Sequence, residues 1–183
     1  MTTRYMYHGT DTIITAVDLD KSRLRTDFGK GFYLSSKHGI ALDWAVDKSG
    51  VTKTPIVMRF TIDSAKLDTP ELLVLRFDQP TVEWLNFIRD NRQIKAIPGF
   101  SGEPRHNFDI VSGPIANDKV AKVVADYIDG LIYADEAIRR TKALPSVFQT
   151  SLHSEKALIC IVHCEYQQRI NNDKWTEWII AQA

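Results

Sequence analysis

Cysteine is scarce: of 183 residues only Cys160 and Cys164 carry a thiol. Two cysteines make no disulfide framework and suit a reducing compartment. Neither sign of charge predominates, with 23 Lys+Arg against 23 Asp+Glu. The electrostatic footprint of an obligate nucleic-acid binder is therefore missing, and the charge run Arg139, Arg140 and Lys142 reads as a solvated helix face. No apolar run reaches the length of a membrane span, and MTTRYMYHGTD has no basic start followed by an apolar core. The expectation is a cytoplasmic protein with no membrane partner. His163 lies between the cysteines, but no second ligand cluster with zinc-like spacing occurs, so no metal site is expected. Internal repeats, charge blocks and Gly/Ser/Pro-rich linkers are also lacking, which points to one domain over residues 1–183.

What is there reads as α+β. Arg4 to His8 alternates as a short strand that turns away at Gly9 and Thr10, and GFYLS at 31–35 is a second, aromatic strand. Ser36 reads as the cap of a helix carrying Ile40, Ala41, Trp44 and Ala45 on helical spacing. PIVMRFTI and LLVLRF are strands, and Thr81 caps the helix VEWLNFIRDNR. An exposed loop follows from Gln93 to Asn107, then a brief strand 109–112 ending at a Gly113-Pro114 turn. Asn117 is expected to cap a helix with Val120, Val123, Val124, Tyr127 and Ile128 on its core stripe, closing at Gly130, and a further helix runs from Ala134 to Ala143. VFQTSLH alternates as a strand, and Ser154 is the expected cap of a helix EKALICIVHCEY that puts both cysteines on one face. KWTEWII sets Trp175 and Trp178 on one helical face or beside a partner.

Several catalytic motifs are excluded by context. Leu34 occupies the place where a dinucleotide fingerprint needs a small residue, and the Gly29/Gly31 segment enters a strand instead of leaving one. Asp27-Phe28-Gly29 has too little chain before it for a kinase nucleotide lobe. There is no P-loop, HExxH or GxSxG.

YHGTD, DFGKGFYLS, the helix with Trp44-Ala45, DIVSGPIAND and FQTSLHSEKAL together resemble a bacterial family of ADP-ribosyltransferase-like domains, over nearly the whole chain. The resemblance implies a split mixed β-sheet with flanking helices, NAD as substrate, and transfer of ADP-ribose to a protein or nucleic-acid acceptor. It also implies a toxin or effector held in check by an antitoxin-like partner. The superfamily pattern is a His on the first strand, a Tyr on the second and an acidic or amide residue on a late strand, and His8, Tyr33 and Gln149 fall in that order. Cleaving the nicotinamide–ribose bond expels a neutral leaving group and leaves an oxocarbenium-like sugar, so the residues must orient the substrate and stabilise charge. On this pattern His8 bonds a ribose hydroxyl, Gly9 and Thr10 beside Tyr7 hold the carboxamide, and Tyr33 stacks on nicotinamide. Arg23 or Lys30 neutralises the pyrophosphate, within a cofactor segment that includes Asp27, Phe28, Gly29 and Gly31. Gln149 bonds the ribose 2′-hydroxyl without supplying charge. Glu155, six residues on, has the charge but stands in a helix's first turn, where the helix dipole is reason enough for it.

Each residue also has a plain structural reading: His8 as a turn residue, Tyr33 as core, Gly29 and Gly31 as a tight turn, Asp109 as a buried acceptor. A non-catalytic nucleotide-binding or protein-interaction domain is the alternative, favoured by the missing carboxylate at 149.

Overall fold

The computed structural model describes residues 2–92, 106–115, 118–144, 147–171 and 174–182. In chain order the elements are β1 (Thr3–Thr10), β2 (Phe32–Ser35), α1 (His38–Ser49), β3 (Ile56–Asp63), β4 (Val74–Arg76), α2 (Val82–Arg92), β5 (Ile110–Pro114), α3 (Asp118–Ile128), α4 (Ala134–Lys142), β6 (Phe148–Leu152), α5 (Glu155–Leu158), β7 (Ile161–Asn171), β8 (Lys174–Trp175) and β9 (Ile179–Ile180). The class is mixed α+β. Contacts group the chain into two units, one of Met1–Asp18, Tyr33–Leu72 and Glu155–Ala183, the other of Leu19–Phe32 and Leu73–Ser154.

The first unit is an antiparallel sheet. β1 pairs with β3 over eight residues, from Thr3↔Asp63 to Thr10↔Ile56, and registers with β2 at Tyr7↔Ser35. β3 in turn pairs with β7, Arg59 standing opposite Glu165, and β8 and β9 pair with β7. α1 covers β1 so closely that a β-carbon at Gly9 would stand 2.6 Å from the Ala45 nitrogen and 2.7 Å from Trp44 Cβ. Glycine at 9 is thus what lets the helix lie on the strand. Ala41, Ala45 and Val57 form the buried seam, with Tyr7, Leu42, Trp175 and Trp178 packed on it.

The second unit has a mixed sheet: β4 runs parallel to β5, and β6 antiparallel to it. Trp84, Leu85 and Ile88 of α2 are fully buried, as are Val124 of α3 and Ala137 of α4. Thr81 caps α2 as expected, its hydroxyl oxygen 3.2 Å from the Trp84 amide.

Several expectations are corrected. EKALICIVHCEY is a helix only over Glu155–Leu158; from Ile161 it is strand β7, because the β-branched Ile161 and the residues from His163 onward meet a waiting partner in β3, with Val162 at a register shift between them. Cys160 therefore precedes a strand and Cys164 lies within it, so the two share no helical face. KWTEWII forms the short strands β8 and β9, and its tryptophans pack within their own unit. The cap position of α1 is Lys37, whose amide is bonded by the Ser35 hydroxyl at 3.0 Å, so Ser36 does not have that role. Gly113-Pro114 continues β5 instead of turning. β1 likewise runs on through Gly9 to Thr10. Most of the expected 93–107 loop and the expected cap Asn117 lie outside the described residues.

Candidate functional site

In the first unit, strand alternation puts Met6, His8 and Thr10 on one face of β1 and Tyr5, Tyr7 and Gly9 on the other. His8 Nδ1 lies 2.8 Å from the Tyr33 carbonyl oxygen. A carbonyl only accepts, so Nδ1 carries the hydrogen and Nε2 is the acceptor nitrogen of the neutral ring. Burial lowers the imidazole pKa to about 4, opposed by the Tyr33 carbonyl and reinforced by Lys48. At neutral pH His8 is therefore an uncharged hydrogen-bond partner with a settled tautomer, joined directly to the strand that carries Tyr33.

The neighbours named with His8 have other duties. Thr10 is buried, and its hydroxyl oxygen accepts from the Thr12 amide at 3.2 Å, closing the turn after β1. Tyr7 meets the His38 ring edge-on at 5.2 Å and lies 6.2 Å from the Trp178 ring, on the face opposite His8. Tyr33 is half-buried, and Glu155 is exposed at the start of α5. An open depression of about 560 Å³ between Gly50–Pro55 and Arg169–Asn171 contains none of the predicted residues.

In the second unit the DFGKG segment is gripped from several sides. Phe28 is completely buried, 6.3 Å from the Phe77 ring and 6.2 Å from the Phe87 ring. Its carbonyl accepts from His106 Nε2 at 2.8 Å, and the Lys30 carbonyl accepts from His153 Nδ1 at 2.8 Å. Thr26 gives its hydroxyl hydrogen to the Gly29 carbonyl. Gly29 sits at φ +84°, and a β-carbon there would come within 2.7 Å of Asn91 Oδ1. Only glycine satisfies both demands. That Asn91 oxygen is buried with no hydrogen-bond partner in the described residues. Gly31 packs under the His153 ring.

Asp27 anchors the segment at its other end. Its Oδ1 accepts from Arg92 Nε at 2.9 Å and Nη2 at 2.5 Å, while Oδ2 accepts from Gln149 Nε2 at 3.0 Å. Of the segment's predicted residues, Asp27 is the one that meets Gln149. Lys30 makes an ion pair with Asp20 at 3.1 Å, and Arg23 is exposed. His153 Nε2 lies 2.8 Å from the Ser151 hydroxyl, and burial lowers the His153 pKa to about 4, opposed by the Lys30 carbonyl; His106 is lowered for the same main reason. Asp109 is buried, accepting from the Leu73 amide at 2.9 Å and the Ser154 hydroxyl at 2.5 Å.

Arg92, His106 and His153 escape a reading of the sequence, because their partners are far away along the chain; His106 and Phe28 are 78 residues apart. Among the described residues there is no cluster of three or more His, Cys, Asp or Glu arranged to hold a metal, and no helix long and apolar enough to cross a membrane. A family model described as "Protein of unknown function (DUF3990)" matches residues 5–163. No curated protein and no solved structure matches.

Proposed function

The chain belongs to the DUF3990 family, and from the residues it carries we propose that it is an NAD-dependent mono-ADP-ribosyltransferase on an ADP-ribosyltransferase-like split sheet. The observation that carries the reading is the bond between His8 Nδ1 and the Tyr33 carbonyl. It joins the two residues that the resemblance assigns to the sugar and to the nicotinamide ring, and it leaves His8 neutral with Nε2 as acceptor. An acceptor nitrogen suits a ribose hydroxyl, and Tyr33 suits stacking on nicotinamide. Gln149 serves the ribose 2′-hydroxyl in this reading, while Glu155 is the residue able to add a carboxylate. The acceptor of ADP-ribose is a protein or nucleic acid, and control by an antitoxin-like protein belongs to the same proposal.

Nicotinamide release from NAD tests it. Wild type releases nicotinamide, and His8→Ala lowers the rate by roughly a hundredfold, in line with loss of one positioned hydrogen-bonding group. Equal rates for the two proteins remove His8 from the site, and no release by wild type removes the enzyme. One observation favours a second reading, a nucleotide-binding domain without transfer: the Gln149 amide is uncharged and already engaged by Asp27. Binding of NAD by calorimetry without nicotinamide release would select that reading.

A further inference from the structure

We propose that Asp27 is a positioning residue that decides which atom of Gln149 faces a ligand, an inference that rests on the assignment of Gln149 to the site. The Gln149 atom 3.0 Å from Asp27 Oδ2 is the amide nitrogen, which donates to the carboxylate oxygen. Among the described residues this is the only hydrogen bond the Gln149 side chain makes. With its NH₂ group held by Asp27, Gln149 keeps Oε1 as its acceptor end. It therefore presents the same hydrogen-bonding polarity as a glutamate, and the negative charge sits one hydrogen bond behind it, matched by Arg92.

The surroundings make this arrangement stiff. Asp27 has only 11% of its side chain exposed. The backbone beside it is fixed by His106 at Phe28 and by His153 at Lys30. From α2, Arg92 is the charged group that meets the pair. β5 offers Gly113 opposite Gln149, which has no charge. A glutamate at 149 would point a second carboxylate at Asp27 across a hydrogen-bond distance, and like charges that close cannot both stay ionised without loss of stability. The pair can be rebuilt with its roles reversed: asparagine at 27 accepts from Arg92 through Oδ1 and donates to a glutamate at 149 through Nδ2.

Four proteins test the proposal: wild type, Asp27→Asn, Gln149→Glu and the double variant, each unfolded thermally between pH 5 and pH 8. The sign follows from the raised carboxyl pKa of a like-charged pair: its stability is intact while protonated and lost as pH rises through the folded-state value. Gln149→Glu is expected to lose several degrees of Tm relative to wild type over that range, and the double variant to recover most of it. An unchanged Gln149→Glu profile, or a double variant as pH-sensitive as the single, overturns the proposal. Should Gln149→Glu fail to fold, the side-chain amide resonance of Gln149 decides instead: it shifts between wild type and Asp27→Asn if Asp27 holds it, and a resonance that stays put refutes the positioning role. None of these readouts needs turnover, so a wild type that releases no nicotinamide sinks the transferase reading and leaves this test standing. Where release is seen, Asp27→Asn frees the amide to rotate, and kcat is expected to fall roughly tenfold with little change in KM.

Discussion

His8 and His153 each give one ring hydrogen to a backbone carbonyl, and burial holds each near pKa 4 against an ordinary 6.5. An unfolded chain takes up protons at these positions as pH falls below about 6.5, whereas the folded chain resists until about 4. Their contribution to stability is therefore complete above the unfolded value and is lost as pH drops towards the folded one. Each shift is on the order of 3 kcal/mol when fully expressed. Denaturant unfolding of wild type and His153→Gln from pH 7 to pH 4 should show a steeper loss in wild type. Parallel curves would mean that His153 titrates normally. At this scale the site was partly legible: His8 and Tyr33 stand out through their motifs, but their direct bond does not. The motif assigns Asp27 to a ligand, and in the structure Arg92 and Gln149 are among its partners.

Elements show where pattern reading succeeds and where it fails. α2 was legible because a cap, an acidic first turn and a helical stripe agree, β1 because Arg4 to His8 alternates, and β3 because its apolar run is partly continuous and partly alternating. β7 was not. ICIVHCEY is an apolar run that suits a buried helix or a paired strand equally well, and the deciding factor, an open edge on β3, lies about a hundred residues away. Cysteine chemistry follows from the corrected element. Cys160 is fully buried with its thiol pushed up to about 11, and burial and Glu165 raise that of Cys164. Thiol labelling at pH 8 should proceed slowly on the native protein and rapidly in urea, since the thiolate is the reactive form. Fast labelling of the folded protein at Cys160 would contradict its burial.

At the scale of the whole molecule, neither unit is a continuous stretch of chain. The chain passes from one to the other after Asp18, Phe32, Leu72 and Ser154, a weave that no local signal in the sequence announces. Ending the protein at Ser154 would remove β7, β8 and β9 and leave β3 with a bare edge. It would also take away Glu165, the partner of Arg59 at 2.5 Å, and Trp178, whose ring lies 4.1 Å from the same guanidinium. Such a truncation should lose the cooperative melting of the full chain, followed by circular dichroism, and expose an aggregating edge. A sharp, unchanged transition would show that β7 is dispensable.

The pairing of β3 with β7 also sets an order of events during synthesis. Arg59 and Glu165 are 106 residues apart, so β3 emerges from the ribosome long before its neighbour is made. Until then β3 lacks the strand that covers its outer edge, and closing so long a loop is entropically costly and slow. Every residue of the second unit, by contrast, has been translated by Ser154. The residues of the Asp27–Gln149 contact are thus made before β7, the strand that covers the edge of β3 in the sheet that carries His8.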